Sequence, residues 1–147
     1  MPYQSKLSAV LFQRKRNEDE ASRAFLMAKN ILFSEQEQLR LLNHKLQTTF
    51  DDLTEKQSRG STPDEMVLYF RFMEMFRGKI EAQTQTVFNQ EQVCETRRAL
   101  LEVAVKERKA VEIIDEKRKK EYIKEVEKKE QAVLDEIGGQ LRLRQHA

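Results

Sequence analysis

The sequence is short of most things that build a compact globule. It has one cysteine, two prolines, four glycines and no tryptophan. A single thiol, Cys94, rules out an internal disulfide and points to a reducing compartment. No run approaches the ~18 apolar residues that a membrane span requires. The opening Met-Pro-Tyr-Gln-Ser-Lys-Leu lacks the apolar stretch of a signal sequence. The expectation is a cytoplasmic chain with no direct membrane insertion. Excess charge of one sign is also missing: 27 basic side chains face 25 acidic ones. The densest basic run, 117–120, is flanked by Glu112, Asp115, Glu116 and Glu121. A nucleic-acid surface needs clustered lysine and arginine, so no nucleic-acid partner is expected.

The parts of an active site are lacking as well. His44 and His146 stand far apart, with no cysteine or carboxylate cluster at metal-ligand spacing. Neither phosphate-binding glycine motif, G-x-x-x-x-G-K-[ST] or G-x-G-x-x-G, occurs. Cys94 has no histidine in register to activate it. The reading is therefore no catalytic residue, no cofactor and no metal; the chain is not an enzyme.

What the sequence does have is charge and heptads. Charged residues make up 35% and hydrophobic ones 39%, a balance that favours long exposed helices. Mean hydropathy of -0.75 alone would also suit disorder, but the apolar residues are periodic. Phe25, Leu32, Leu39, Leu46 and Leu53 recur every seven residues. Leu11 continues the series across a polar gap at Glu18. Ala21, Ala28, Leu42 and Thr49 lie three residues further on, with Glu35 as an exception. A second series runs Met66, Met73, Ile80, Val87, Cys94 and Leu101. Such spacing keeps one seam of a helix turned toward a partner helix.

Between the two series lies Gln57-Ser-Arg-Gly-Ser-Thr-Pro-Asp-Glu65. Thr62 is a good N-cap, Pro63 suits the first helical position, and Glu65 stands where a capping box needs it. Folding back at Gly60 sets Leu53 against Met66, Leu46 against Met73, Leu39 against Ile80, Leu32 against Val87 and Phe25 against Cys94. Five layers align without a slip. The fold class is all-α: two long helices forming an antiparallel coiled-coil hairpin. The boundaries are one domain over 1–147, with helix 5–57, turn 58–62, helix 63–137 and a flexible tail 138–147 after Gly138-Gly139. The same register puts residue 1 opposite 118. The second helix then overhangs, carrying Ile113, Ile114, Tyr122, Ile123, Val126, Val133, Leu134 and Ile137 without a partner in the chain. Near the turn, Met66, Tyr69, Phe70, Phe72, Met73, Met75 and Phe76 surround the helix. One narrow seam cannot take them all, so some are exposed as a binding patch.

Two segments resemble a known family. Asp64-Glu-Met-Val-Leu-Tyr-Phe-Arg-Phe-Met-Glu, followed by Ile80-Glu-Ala-Gln, is similar to the start of the second helix of FliJ, a flagellar export protein. Glu107-Arg-Lys-Ala-Val-Glu, Glu116-Lys-Arg, Glu121-Tyr, Glu130-Gln and Leu134-Asp-Glu-Ile137 resemble its charged C-terminal block. The resemblance implies a two-helix stalk of the flagellar type III export apparatus, similar to the central stalk of rotary ATPases. It implies three partners: the hexameric flagellar export ATPase, the export-gate membrane protein and export chaperones. Through them the chain would lie at the cytoplasmic face of the inner membrane. The gate-facing positions it implies are Gln38, Leu42 and Phe72, with Phe76 and Gln83 in corresponding places but changed. Lys45, Thr49 and Lys79 depart from the family pattern. The free form is expected to be monomeric. A virulence type III secretion stalk and a homodimeric scaffold are the alternative readings.

Overall fold

A computed structural model describes residues 2–146. They form two helices, α1 (Ser8–Arg59) and α2 (Pro63–His146), and no strand. The helices pack against each other as an antiparallel coiled-coil hairpin. The sequence reading treats 1–147 as one domain. In the structure, contacts gather into two compact units, Glu20–Glu102 and Met1–Asp19 with Val103–Ala147. In a hairpin each layer touches only its neighbours, so no single centre gathers the contacts.

The unit Glu20–Glu102 contains the turn. Glu65 N–H donates to Thr62 Oγ1 at 3.3 Å, and Met66 N–H to the Thr62 carbonyl at 3.2 Å. Thr62 thus caps α2 as its side chain allows. The Glu65 carboxylate lies 3.7 Å from Lys56 Nζ across the bend. Asp64 and Glu65 in the first turn of α2, and Lys56 and Arg59 in the last turn of α1, complement the two helix dipoles. Gly60 has φ of 89°, a left-handed conformation that costs a side-chain-bearing residue about 1–2 kcal/mol. Gly78, by contrast, is an ordinary helical residue with open space around it. Gly60→Ala should therefore lower the melting temperature, and Gly78→Ala should raise it by restoring helix propensity. Thermal unfolding of the two variants checks this; equal shifts of one sign would contradict it.

The core is thin. Ala28, Leu53, Met73, Val87, Cys94 and Ala104 are buried, and no polar or charged residue is, among those described. Phe25, Leu32, Leu39, Leu46, Met66, Ile80 and Leu101 are half-buried. Polar contacts across the hairpin keep close to the register read from the apolar series. Gln83 Nε2 donates to the Glu35 carbonyl at 2.9 Å and to its carboxylate at 2.6 Å. Gln90 Nε2 donates to the Ala28 carbonyl at 3.0 Å. Each lies one residue from the position that register assigns. Glu35, the exception in the apolar pattern, is thus half of a polar layer. Such a layer gives up some apolar burial and disfavours other registers, which would strand the carboxylate.

In the other unit, the start of α1 pairs with α2 from Val103 onward. Arg14 Nη1 lies 2.6 Å from the Glu107 carboxylate. Arg108, on the heptad after Leu101, donates to Glu18 and, at 2.8 Å, to Glu112. The polar gap at Glu18 is met by a matching charge on the facing helix.

Three boundaries differ from the sequence reading. Helix α1 begins at Ser8 rather than residue 5, because Ser5 Oγ instead accepts the Leu7 N–H at 3.1 Å. It ends at Arg59, two residues later than expected. Helix α2 continues through Gly138-Gly139 to His146 rather than stopping at 137. Neither glycine adopts the left-handed conformation that ends a helix. Leu141, Arg142, Leu143 and Arg144 are helix formers that carry it on.

Candidate partner-binding surfaces

Helices this long display more apolar surface than one seam covers. In the unit Glu20–Glu102, the aromatic and methionine stretch after the turn divides as helical geometry requires. Met73 is buried, and Met66, Tyr69 and Phe76 are half-buried. Phe70, Phe72 and Met75 are exposed, with Val67 and Leu68 beside them. Leu68, Phe72 and Met75, spaced four and three apart, share one flank of α2. A shallow pocket there is lined by Lys56, Glu65, Leu68, Tyr69 and Phe72.

The positions that the family resemblance marks as gate-facing separate along the same lines. Gln38 and Phe72 are exposed, the latter at 45%. Leu42 and Phe76 are half-buried. Gln83 is half-buried too, and its amide is engaged by Glu35, so it serves the hairpin. By helical phase, Gln38 and Phe72 flank the seam on one side of the antiparallel pair.

The unit Met1–Asp19 with Val103–Ala147 holds the second surface. On α2, Asp115, Tyr122, Val126, Val133 and Ile137 recur at intervals of seven, four, seven and four, which is one helix face. Leu134 and Leu141 border it. Val133, Leu134, Ile137 and Leu141 are exposed. Tyr122 was expected to lack a partner in the chain, yet it has one. The Tyr3 ring lies against it at 5.5 Å between centroids. The segment ahead of α1 runs along α2 as a strap, a feature no local pattern reveals.

The strap is fixed at one carboxylate. Ser5 Oγ donates to Asp115 Oδ1, and Tyr3 Oη donates to the same oxygen at 3.0 Å. Ser5 first, then Tyr3, Arg118 and Lys119, hold the Asp115 carboxyl below its ordinary range. Lost hydration and the neighbouring carboxylate push the Tyr3 phenol up. A carboxyl whose folded pKa is lowered stabilises the fold above its unfolded value, about 3.9. That contribution drains away as pH falls from there through the lowered value. Amide exchange over 2–7 and 111–122 should therefore be flat from about pH 5 to 8, once corrected for intrinsic rates, and rise below about pH 4. A rise centred near neutrality would contradict this.

Among the described residues no group of three or more His, Cys, Asp or Glu could hold a metal ion. Nor is any helix among them long and apolar enough to cross a membrane. Cys94 is buried on the seam.

Fold and surfaces together define a coiled-coil hairpin protein, one that displays side chains along helices rather than enclosing a pocket. A family profile described as "Flagellar FliJ protein" matches residues 3–147, and the chain belongs to the FliJ family. Membership makes it a stalk-type protein of type III export. A solved structure from Chlamydia trachomatis, described as a YscO homolog (CT670), has the same fold. It is 22% identical, with TM-score 0.54, and the alignment covers 96% of each chain. Comparison with curated proteins finds no match.

Proposed function

We propose that the chain is the non-enzymatic stalk of a flagellar export apparatus. In this reading it binds the hexameric export ATPase through α2 beyond Tyr122. It meets the export-gate membrane protein through the flank that carries Gln38 and Phe72, with Leu42 and Phe76 beneath. It also takes part in handling export chaperones. It works in the cytoplasm, held at the inner membrane by its partners, and is monomeric when free. The observation that carries the reading is the family match over 3–147. The exposed apolar face of α2 past the strap supports it, because an apolar helix face of this length calls for a partner.

The physical role follows from shape. A hairpin presents a different side chain at every angle, so subunits of a surrounding ring would meet unequal contacts. Differential contacts are what shift a subunit between conformations. The mixed charges of Lys124, Glu125, Glu127 and Lys128 suit shifting contacts, since exposed ion pairs are each worth little.

Pull-down of the hexameric ATPase and of the soluble part of the gate protein tests the reading. Full-length chain should capture both. Phe72→Ala should weaken gate capture about tenfold, as loss of an exposed aromatic anchor does, and leave ATPase capture unchanged. Capture of neither protein by the full chain would overturn the reading. An equivalent stalk of a virulence secretion system has the same geometry, and the ATPase that co-purifies distinguishes the two.

A further inference from the structure

The strap and the apolar face of α2 meet at Tyr122. The Tyr3 ring covers one side of Tyr122, and the same face continues through half-buried Val126 to exposed Val133 and Ile137. We propose that residues 2–7 act as a releasable latch that shortens the partner-binding face of α2, competing with the partner for the stretch from Asp115 to Tyr122. The competition rests on the reading that α2 beyond Tyr122 binds the ATPase.

Three observations carry the inference. The first is the nature of the contacts. The strap is not helical and so adds no i to i-4 ladder of its own. Among the described contacts, its polar grip on α2 is two hydroxyls on one carboxylate oxygen. Tyr3, Ser5, Asp115 and Tyr122 are all half-buried, so release leaves no deeply buried group unsatisfied. Segments held this way open at far lower cost than the fold as a whole.

The second is continuity. Asp115 and Tyr122 belong to the same face as Val126, Val133 and Ile137. A helix docking on Val133 and Ile137 and running along this face would reach Val126 and then Tyr122, and there meet the strap. Release would lengthen the available face by about two helical turns, at 5.4 Å per turn.

The third is the surrounding charge. Arg118 and Lys6 line a groove with Tyr3, Gln4 and Tyr122. Lys119 lies close enough to Asp115 to act on it. With the strap gone, Asp115, Arg118 and Lys119 would offer both signs of charge beside an exposed tyrosine ring. That is the composition of an interface rim and anchor.

When a binding-competent state is only partly populated, the apparent affinity falls by that fraction. Freeing the strap should therefore tighten binding, whereas loss of a merely structural contact would weaken it. The test uses full-length chain with Tyr3→Ala, and Tyr3→Phe as the conservative variant that keeps the ring. In the free protein, amide exchange over 111–122 should be about tenfold faster in Tyr3→Ala, from loss of one hydrogen bond and one ring contact. Tyr3→Phe should fall between Tyr3→Ala and the natural chain. Affinity for the hexameric ATPase should rise about threefold or more in Tyr3→Ala. Equal or weaker binding by Tyr3→Ala, beside normal binding by the natural chain, overturns the latch and leaves the stalk reading standing. Unchanged exchange overturns it as well. No binding by any of the three chains overturns the stalk reading, and the competition falls with it.

Discussion

A carboxylate introduced at Val87 should unfold the hairpin, while the same change one residue along, at Phe88, should be nearly silent. Val87 is 8% exposed and sits on the seam; Phe88 is 52% exposed on the outer side of the same helix. Val87→Asp would place an unpaired charge between the helices, among the few mechanisms that cost several kcal/mol. The thin core makes this decisive, because net stabilities run to only about 5–15 kcal/mol even in well-packed domains. Leu53→Ala, at another buried seam position, should cost roughly 2–4 kcal/mol by leaving a cavity. Phe88→Asp should stay within about 0.5 kcal/mol. Urea titration followed by circular dichroism reads all three. Comparable losses from Val87→Asp and Phe88→Asp would mean that the seam is not where the structure puts it.

The second large effect concerns α2. A stop after Lys124 would keep Tyr122 and every cross-hairpin contact described above, and remove a stretch of α2 whose described residues make none of those contacts. Its melting temperature should be close to that of the full chain. Under the proposed stalk reading, its affinity for the hexameric ATPase should fall by at least about tenfold, because the buried apolar anchors of an interface carry most of its energy. A stop after Lys106 also removes the residues that face 3–18, Arg108 and Asp115 among them. That variant should lose ATPase binding and in addition fray the start of α1. Isothermal titration of both truncations separates the two roles. Unaltered binding by the Lys124 truncation would assign the ATPase contact elsewhere.

How much of this was legible in the sequence depends on the range of the signal. The seam could be read because charged residues fill the other helix faces and leave Phe25 to Leu53 and Met66 to Leu101 as an uninterrupted beat. The turn was legible from Thr62 to Glu65, whose chemistry acts within one turn of helix. Glu35 and Glu18 looked like faults in an apolar pattern. Their partners, Gln83 and Arg108, are distant in sequence and polar. A count of apolar residues cannot see a polar layer. The strap was missed for the same reason: Tyr3 and Ser5 belong to no helix, and their partner Asp115 looks like any surface carboxylate. Gly138-Gly139 misled in the opposite sense. Two glycines are a local stop signal, but a helix ends at glycine only when the backbone turns left-handed there. Of the gate-facing residues that the family resemblance implies, Gln38 and Phe72 are exposed, whereas Gln83 is engaged within the hairpin.

The intrachain antiparallel pairing underlies every functional statement here, and a distance between two spin labels tests it most directly. Labels at Gln38→Cys and Lys79→Cys, with Cys94 replaced by alanine and the sample diluted in unlabelled chain, sit on facing exposed positions of α1 and α2. The hairpin requires a separation below about 25 Å, given axes ~8–10 Å apart and side chains reaching outward. A chain that instead ran straight through residues 57–65, as in a parallel dimer, would hold the labels about 60 Å apart at 1.5 Å per residue, and that result would contradict the account.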